Sequence, residues 1–443
     1  MQRLEIIGGK KLKGKIEVFG SKNVVLKVLV AACLTNEEVY IDNVPLISDV
    51  YAMAEIIEYL GGKVEFKDHR LSLKVQDFIS NKIALEKAAE TRTSFMFLAP
   101  LLAREKEAII PNPGGCRIGA RPIDRVIGGL KKMGVRVKYN SKDGFFHATA
   151  PNGLKGAYYK FEKSTHTGTE TMLIAAVLAK GKTVLENAAQ EPEIDELIAF
   201  LRRMGAKIVR EKPRRITVVG VGKLHKANFI IAPDRNEIVT FAVGAIITQG
   251  DVFIKDITKR GLEEFLEMLK KIGAGFEIKK DGIRFYYKGP LKASSVMTTF
   301  YPGFMTDWQG PWAVLMTQTN GVSILHETVY ENRFNYVSEL GKIGADIELF
   351  NPKVRNPEKF YNFNIKDDKK TNFHAAKISG PTRLHNGILT MTDIRAGATL
   401  VLGALVASGE SVLFGLEYLD RGYEQFEQRL NSLGAKIKRK NDI

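Results

Sequence analysis

Residues 263–276 read Glu263-Glu264-Phe265-Leu266-Glu267-Met268-Leu269-Lys270-Lys271-Ile272-Gly273-Ala274-Gly275-Phe276. The first part is an amphipathic helix with one apolar face to lay on a sheet. Gly273 is the residue type that ends a helix in the left-handed conformation. The residues after it alternate and feed a strand. The same junction recurs in Leu60-Gly61-Gly62, Met133-Gly134-Val135, Met204-Gly205-Ala206, Ile343-Gly344-Ala345 and Leu433-Gly434-Ala435. The interval is roughly 70 residues, stretching to roughly 90 before the last copy, so the chain is built from a repeated unit.

A second pattern precedes each junction. It is a helix apolar on nearly all sides, a short polar turn, and a strand ending near Asn or Asp. Examples are Ala31-Ala32-Cys33-Leu34 leading to Asp42-Asn43, and Phe241-Ala242-Val243-Gly244-Ala245-Ile246 leading to Lys255-Asp256. A helix without a polar face is expected to be buried. Each unit is therefore a compact α/β element with a buried helix, a covering helix and a small sheet. Six units divide as three and three. A hinge is expected near Ala232-Pro233-Asp234-Arg235 and a second crossing near Gly20-Ser21-Lys22. This puts residues 1–21 and 234–443 in one domain, with the N-terminal strand paired into the C-terminal half, and residues 22–233 in the other. Two domains joined by two strands form a cleft able to close.

Composition bounds the function. The chain has 443 residues, 44% hydrophobic and 26% charged, as in a globular protein. A net charge of +16 points to anionic ligands, or simply to a solvated basic surface. There is no aromatic-basic interleaving of the kind that reads nucleic acid. No stretch reaches the length of a membrane span, and no signal peptide is visible at the N-terminus. Two cysteines and scattered histidines argue for a reducing cytoplasm and against a structural metal; no cofactor is expected. Cys33 lies in an apolar run and is expected to be helix core. Cys116 lies in Pro111-Asn112-Pro113-Gly114-Gly115-Cys116-Arg117-Ile118-Gly119-Ala120-Arg121-Pro122, too rich in Pro and Gly for helix or inner strand. Arg117 and Arg121 would lower a nearby thiol's pKa, so the loop reads as a thiol-bearing cationic flap over an anionic substrate.

Several motifs, in this order, resemble one family. They are Phe19-Gly20-Ser21-Lys22-Asn23, Asp42-Asn43-Val44-Pro45, Thr91-Arg92-Thr93-Ser94, the cysteine loop running on to Asp124, and Glu191-Pro192-Glu193. Then come Pro233-Asp234-Arg235, Met305-Thr306-Asp307, Glu331-Asn332-Arg333-Phe334, Thr392-Asp393-Ile394-Arg395-Ala396 and Asp420-Arg421-Gly422-Tyr423-Glu424. Their succession resembles the UDP-N-acetylglucosamine 1-carboxyvinyltransferases, the enolpyruvyl transferases that open peptidoglycan synthesis. The resemblance covers nearly the whole chain. It implies an inverse α/β barrel, two domains of three α/β units each.

It also implies roles. Phosphoenolpyruvate carries a phosphate and a carboxylate on one small frame and needs converging cations; Lys22, Arg121, Arg395 and Arg421 stand at motif positions. Arginine forks match such oxyanions and lysine acts as a point charge. By resemblance, Asp307 takes the proton of the attacking sugar hydroxyl, Cys116 protonates C3 of phosphoenolpyruvate, and Lys22 and Arg421 stabilise developing charge. A helix N-cap is the competing role for Asp307. The UDP-N-acetylglucosamine contacts implied are Arg92, the run Arg121, Pro122, Ile123, Asp124 and Arg125, the turn Lys163, Thr165, His166, Thr167 and Gly168, then Asp307 and Val329. Asn23 and Arg333 support the sugar and the cleft.

The sequence departs from the family in the turn Lys163-Ser164-Thr165-His166-Thr167-Gly168, one residue longer and carrying His166. It also departs at Val239, at Leu46-Ile47-Ser48 where a lysine is usual, and at Trp308-Gln309-Gly310-Pro311-Trp312. The altered turn leaves open a transferase acting on another uridine nucleotide. 5-Enolpyruvylshikimate-3-phosphate synthase, the closest rival enzyme, uses no loop cysteine. A non-catalytic basic protein that binds nucleic acid on the same fold is the remote alternative.

Overall fold

The structure, a computed structural model, describes residues 2–112 and 123–441. It divides into two compact units, residues 2–18 with 233–441, and residues 19–112 with 123–232. The chain passes between them at 18/19 and 232/233, against the 21/22 and 233/234 expected from the sequence. The cysteine loop, with Cys116, Arg121 and Pro122, lies outside the described residues.

One pattern builds both units: edge strand, buried helix, strand, covering helix, hairpin. In the unit of 233–441 the helices Arg235–Ile247, Gln309–Met316 and Ile394–Val406 pack on one another. Every residue of the first two is buried, as their all-round apolar sequence requires. Three four-stranded sheets belong to this unit. In one, Asp251–Lys255 lies between the antiparallel Gly282–Tyr286 and the parallel Lys13–Ile16. In another, Gln2–Ile7 is the last strand of the sixth repeat, antiparallel to both Glu410–Phe414 and Lys436–Asn441. Leu4 and Ile6 point inward along it, so its register is set by its buried face. The third joins Val296–Met297, Gly321–His326, Ala375–Gly380 and Ile347–Phe350.

The unit of 19–232 repeats the arrangement with two four-stranded sheets and one of three strands. Its buried helices are Lys22–Ala32, Leu98–Arg104 and His166–Ala176. The second is preceded by a 3-10 turn, Arg92–Phe97. Pro100 has no N–H to bond the carbonyl four residues back, so the α-helical ladder cannot extend through that turn.

The six junction glycines, Gly61, Gly134, Gly205, Gly273, Gly344 and Gly434, all have φ between 83° and 103°. The Asn or Asp after a strand has a related reason. Asn43, Asn187 and Asp256 sit at φ 59°, 54° and 54°, where a short polar side chain tolerates the left-handed region. Among the described residues, no helix is long and apolar enough to cross a membrane.

Candidate active site

In the unit of 233–441, site residues gather around Asp307. The carboxylate stands in the 3-10 turn Thr306–Trp308, just before Gln309–Met316. It is not spent as a cap: the N-cap positions are Met305 for the turn and Trp308 for the helix. Instead Oδ1 accepts from Arg333 Nη2 at 2.6 Å. Oδ2 accepts from Asn236 Nδ2 at 3.4 Å and lies 3.7 Å from Arg395 Nη2. The two guanidinium groups are nearly buried, while Asp307 keeps 23% of its side chain exposed. The result is a charge-compensated acceptor with an open side.

Each partner is held by something else. Arg395 is the second residue of Ile394–Val406, whose N-cap Asp393 accepts from the N–H of Arg395 and of Ala396 at 3.0 Å each. Its Nη1 donates to the Tyr423 hydroxyl at 3.1 Å, which pairs in turn with Thr240 Oγ1 at 2.9 Å. Asn236 is the second residue of Arg235–Ile247, and its Oδ1 accepts from Trp308 Nε1 at 3.0 Å. Indole can only donate, so the amide oxygen must face Trp308 and the NH2 must face Asp307. Glu327 is fully buried behind the turn. It accepts from Thr306 Oγ1 and Gln309 Nε2, each at 2.9 Å, and from the N–H of Val329 at 2.7 Å and of Tyr330 at 3.0 Å. Burial pushes its pKa up despite these donors. Val329 is buried with its N–H given to Glu327. Arg421 is half-buried in the turn after Leu416–Leu419. Its neighbour Asp420 is gripped by Arg439 at 2.7 and 2.9 Å.

In the unit of 19–232, Lys22 opens Lys22–Ala32 and pairs with Asp49 at 2.8 Å, both groups nearly buried. Asp49 follows Leu46-Ile47-Ser48, so the segment lacking the family's lysine supplies the carboxylate that holds Lys22. Asn23 and Arg92 are half-buried. Ile123 is the N-cap of Asp124–Lys132, which puts Asp124 and Arg125 in its first turn. The Lys163–Gly168 stretch runs into another helix start: Thr165 is the N-cap of His166–Ala176 and accepts from Gly168 N at 3.2 Å. Thus His166, Thr167 and Gly168 form a first helical turn, where backbone N–H groups favour anions. His166 Nε2 lies 3.6 Å from Glu170 Oε1, and Lys27 Nζ lies 3.7 Å from Oε2. Glu170 is fully buried, and that burial pushes its pKa up.

Cys33 is core: it is fully buried, its Sγ reaches the Leu29 carbonyl at 3.4 Å, and burial pushes the thiol up to about 12. Val239 is buried within its helix. Both tryptophans are buried, packed edge-on against Phe304. Sequence reading passed over Asn236, Asp49, Glu327, Tyr423 and the Lys27–Glu170 pair. Asn236 directly follows the Pro233-Asp234-Arg235 motif and Tyr423 lies inside another, which was the available signal. Asp49 and Glu327 carried none.

The protein-family model described as EPSP synthase (3-phosphoshikimate 1-carboxyvinyltransferase) matches residues 6–430. A UDP-N-acetylglucosamine 1-carboxyvinyltransferase of Bartonella henselae is 39% identical over 454 residues, covering 99% of each chain. One from Pelagibacter ubique is 37% identical, covering all of both. Among solved structures, the enolpyruvyl transferase NikO from Streptomyces tendae aligns with a TM-score of 0.86 at 21% identity, over 99% of this chain and 98% of its own. The EPSP synthase from Acinetobacter baumannii aligns at 0.74 and 19%, over the whole of both chains. These two likenesses speak for the inverse α/β barrel fold alone. With a family model matched over most of its length and full-length relatives well above 30% identity, the chain belongs to the enolpyruvyl transferases, in the family of the UDP-N-acetylglucosamine 1-carboxyvinyltransferases.

Proposed function

We propose that the chain transfers the enolpyruvyl group of phosphoenolpyruvate to the 3-hydroxyl of UDP-N-acetylglucosamine with release of phosphate, the first committed step of peptidoglycan synthesis. The observation that carries this reading is Asp307, oriented by Arg333 and Asn236 yet partly open. A hydroxyl attacking the C2 carbon must lose a proton, and a positioned carboxylate that accepts it is worth about 10²–10⁴-fold in rate.

The reaction is an addition followed by an elimination. The sugar O3 bonds to C2 of phosphoenolpyruvate, its proton goes to Asp307, and C3 takes a proton from Cys116. The C2–O bond to phosphate then breaks as C3 gives a proton back, regenerating the double bond on the sugar. Lys22, Arg121, Arg395 and Arg421 bind the phosphate and carboxylate and offset charge as it develops. Asn23, Arg92, the run Arg121 to Arg125, the turn Lys163 to Gly168, Val329 and Arg333 hold the sugar nucleotide. Thr165, by capping the helix behind His166, fixes the shape of that turn. No cofactor enters the scheme.

Running the reaction in D2O tests it. The transient methyl at C3 lets deuterium enter the vinyl carbon of the product, read by mass spectrometry of the enolpyruvyl sugar nucleotide. Product formed with no deuterium at C3 would exclude addition–elimination.

A further inference from the structure

The roughly 90-residue interval before the last junction has a location. It is the hairpin between Ile347–Phe350 and Ala375–Gly380, opened by residues 351–374. Equivalent hairpins elsewhere turn tightly: Lys67 pairs with Arg70 around Asp68-His69, and Lys279 with Gly282 around Lys280-Asp281. The inserted residues are folded on themselves. Asn351 closes the base, donating to the Asn372 carbonyl at 3.0 Å and accepting from His374 N at 2.8 Å. Asp368 takes Asn372 Nδ2 at 2.9 Å and pairs with His374 Nε2 at 2.8 Å. Tyr361 stacks on Phe363 at 4.8 Å and touches the His374 ring at 5.0 Å, all three buried. Ordering a segment of this length costs about 1–2 kcal/mol per residue in backbone entropy, so this one forms only because it buries its own small core.

Three outward contacts of the insertion fall on one place. The Tyr361 hydroxyl meets His326 Nε2 at 3.1 Å, Phe360 stacks on the His326 ring at 5.3 Å, and Asn362 N donates to the Thr328 carbonyl at 2.8 Å. Between His326 and Thr328 is Glu327, whose carboxylate holds Thr306 and Gln309, the residues on either side of Asp307-Trp308. We propose that residues 351–374 are a brace for the catalytic base: Tyr361 and Asn362 fix His326–Thr328, and Glu327 passes that position to Asp307. This rests on Asp307 being the base. Tyr361 is then a positioning residue, since it acts through Glu327 and not on the reacting atoms.

The test replaces residues 351–374 with Lys280-Asp281, the turn that already closes the fourth repeat, and separately makes Tyr361→Phe. Both are assayed for kcat and for KM of each substrate, well below their unfolding temperatures. The brace predicts that the shortened chain folds and loses about 100-fold in kcat, with KM for phosphoenolpyruvate unchanged, because a displacement of about 1 Å can cost that much. Tyr361→Phe is expected to lose about 5-fold in kcat with the same unchanged KM. A folded shortened chain with full kcat overturns the proposal, and if that chain does not fold, an unchanged kcat in Tyr361→Phe overturns it. Asp307→Asn, run alongside, separates the two readings. If it is fully active, the base assignment falls and the brace with it. If it is inactive beside an unimpaired shortened chain, only the brace falls.

Discussion

Asp307 is held by an arginine at 2.6 Å and an amide at 3.4 Å, and its usefulness depends on both holding it without covering it. Asp307→Ala is expected to abolish phosphate release and, because it takes the carboxylate from the nearly buried Arg333 and Arg395, to cost about 2 kcal/mol of stability as well; near-normal release from the folded variant, assayed below its unfolding temperature, would remove the base from the scheme. Arg333→Met takes away a charge-assisted hydrogen bond and is expected to cost about 2 kcal/mol of stability by thermal denaturation, along with most of the activity. The two cysteines should differ sharply. Fosfomycin, an epoxide phosphonate that mimics phosphoenolpyruvate, is expected to alkylate Cys116 and spare Cys33, whose buried thiol is held near pKa 12. Peptide mapping reads this, and label on Cys33 would contradict it. Asp307, Arg333 and Arg395 stood out as candidates because each sits in a short motif, and the structure brings the three together. Asn236 did not stand out, because its role comes from meeting a residue 71 positions away, which no local pattern encodes.

The repeated element was the most legible feature, since its glycine junction depends on backbone geometry alone. Gly273 has φ 83° and a Cβ added there would meet nothing within 4 Å, so Gly273→Ala should cost only the left-handed penalty, about 1–2 kcal/mol, with activity intact below the melting point. Gly310 is the opposite case. A Cβ there would lie 2.1 Å from Thr399 Oγ1, on the helix that carries Arg395. Gly310→Ala should therefore cost about 1–3 kcal/mol by overpacking and also depress kcat, because it pushes the helix that follows the Asp307 turn away from the helix bearing Arg395. The insertion at 351–374 was visible only as a stretched interval; its fold depends on ring stacking and on Asn and Asp side chains that have no periodicity. It does leave a pH signature. Burial, with His374 adding to it, pushes the His326 pKa down to about 4. The unfolded chain then binds a proton near pH 6.5 that the folded one refuses, so this group's stabilisation is complete above pH 6.5 and declines as pH falls toward 4. In melting curves across that window, His326→Gln should lose less stability on acidification than the parent protein. Parallel curves would show that His326 is not held neutral.

At the scale of the molecule, the division into two units of three repeats followed from counting junctions, and pairing Gln2–Ile7 with two strands near the C-terminus accounts for how the sixth repeat is completed. The crossings fell a few residues from their expected places because composition marks a hinge only coarsely, whereas packing decides which side each residue joins. Acceptor choice was the least legible property. The Lys163–Gly168 turn with its His166 departs from the family's small-residue run, and folding it into a capped helix start does not by itself name a sugar. Phosphate release from phosphoenolpyruvate, measured with UDP-N-acetylglucosamine, shikimate 3-phosphate and UMP offered in turn, tests the central claim most directly. The account predicts release with UDP-N-acetylglucosamine alone, one phosphate per enolpyruvyl sugar nucleotide formed; release with shikimate 3-phosphate or UMP at a comparable rate, or none with UDP-N-acetylglucosamine, would contradict it.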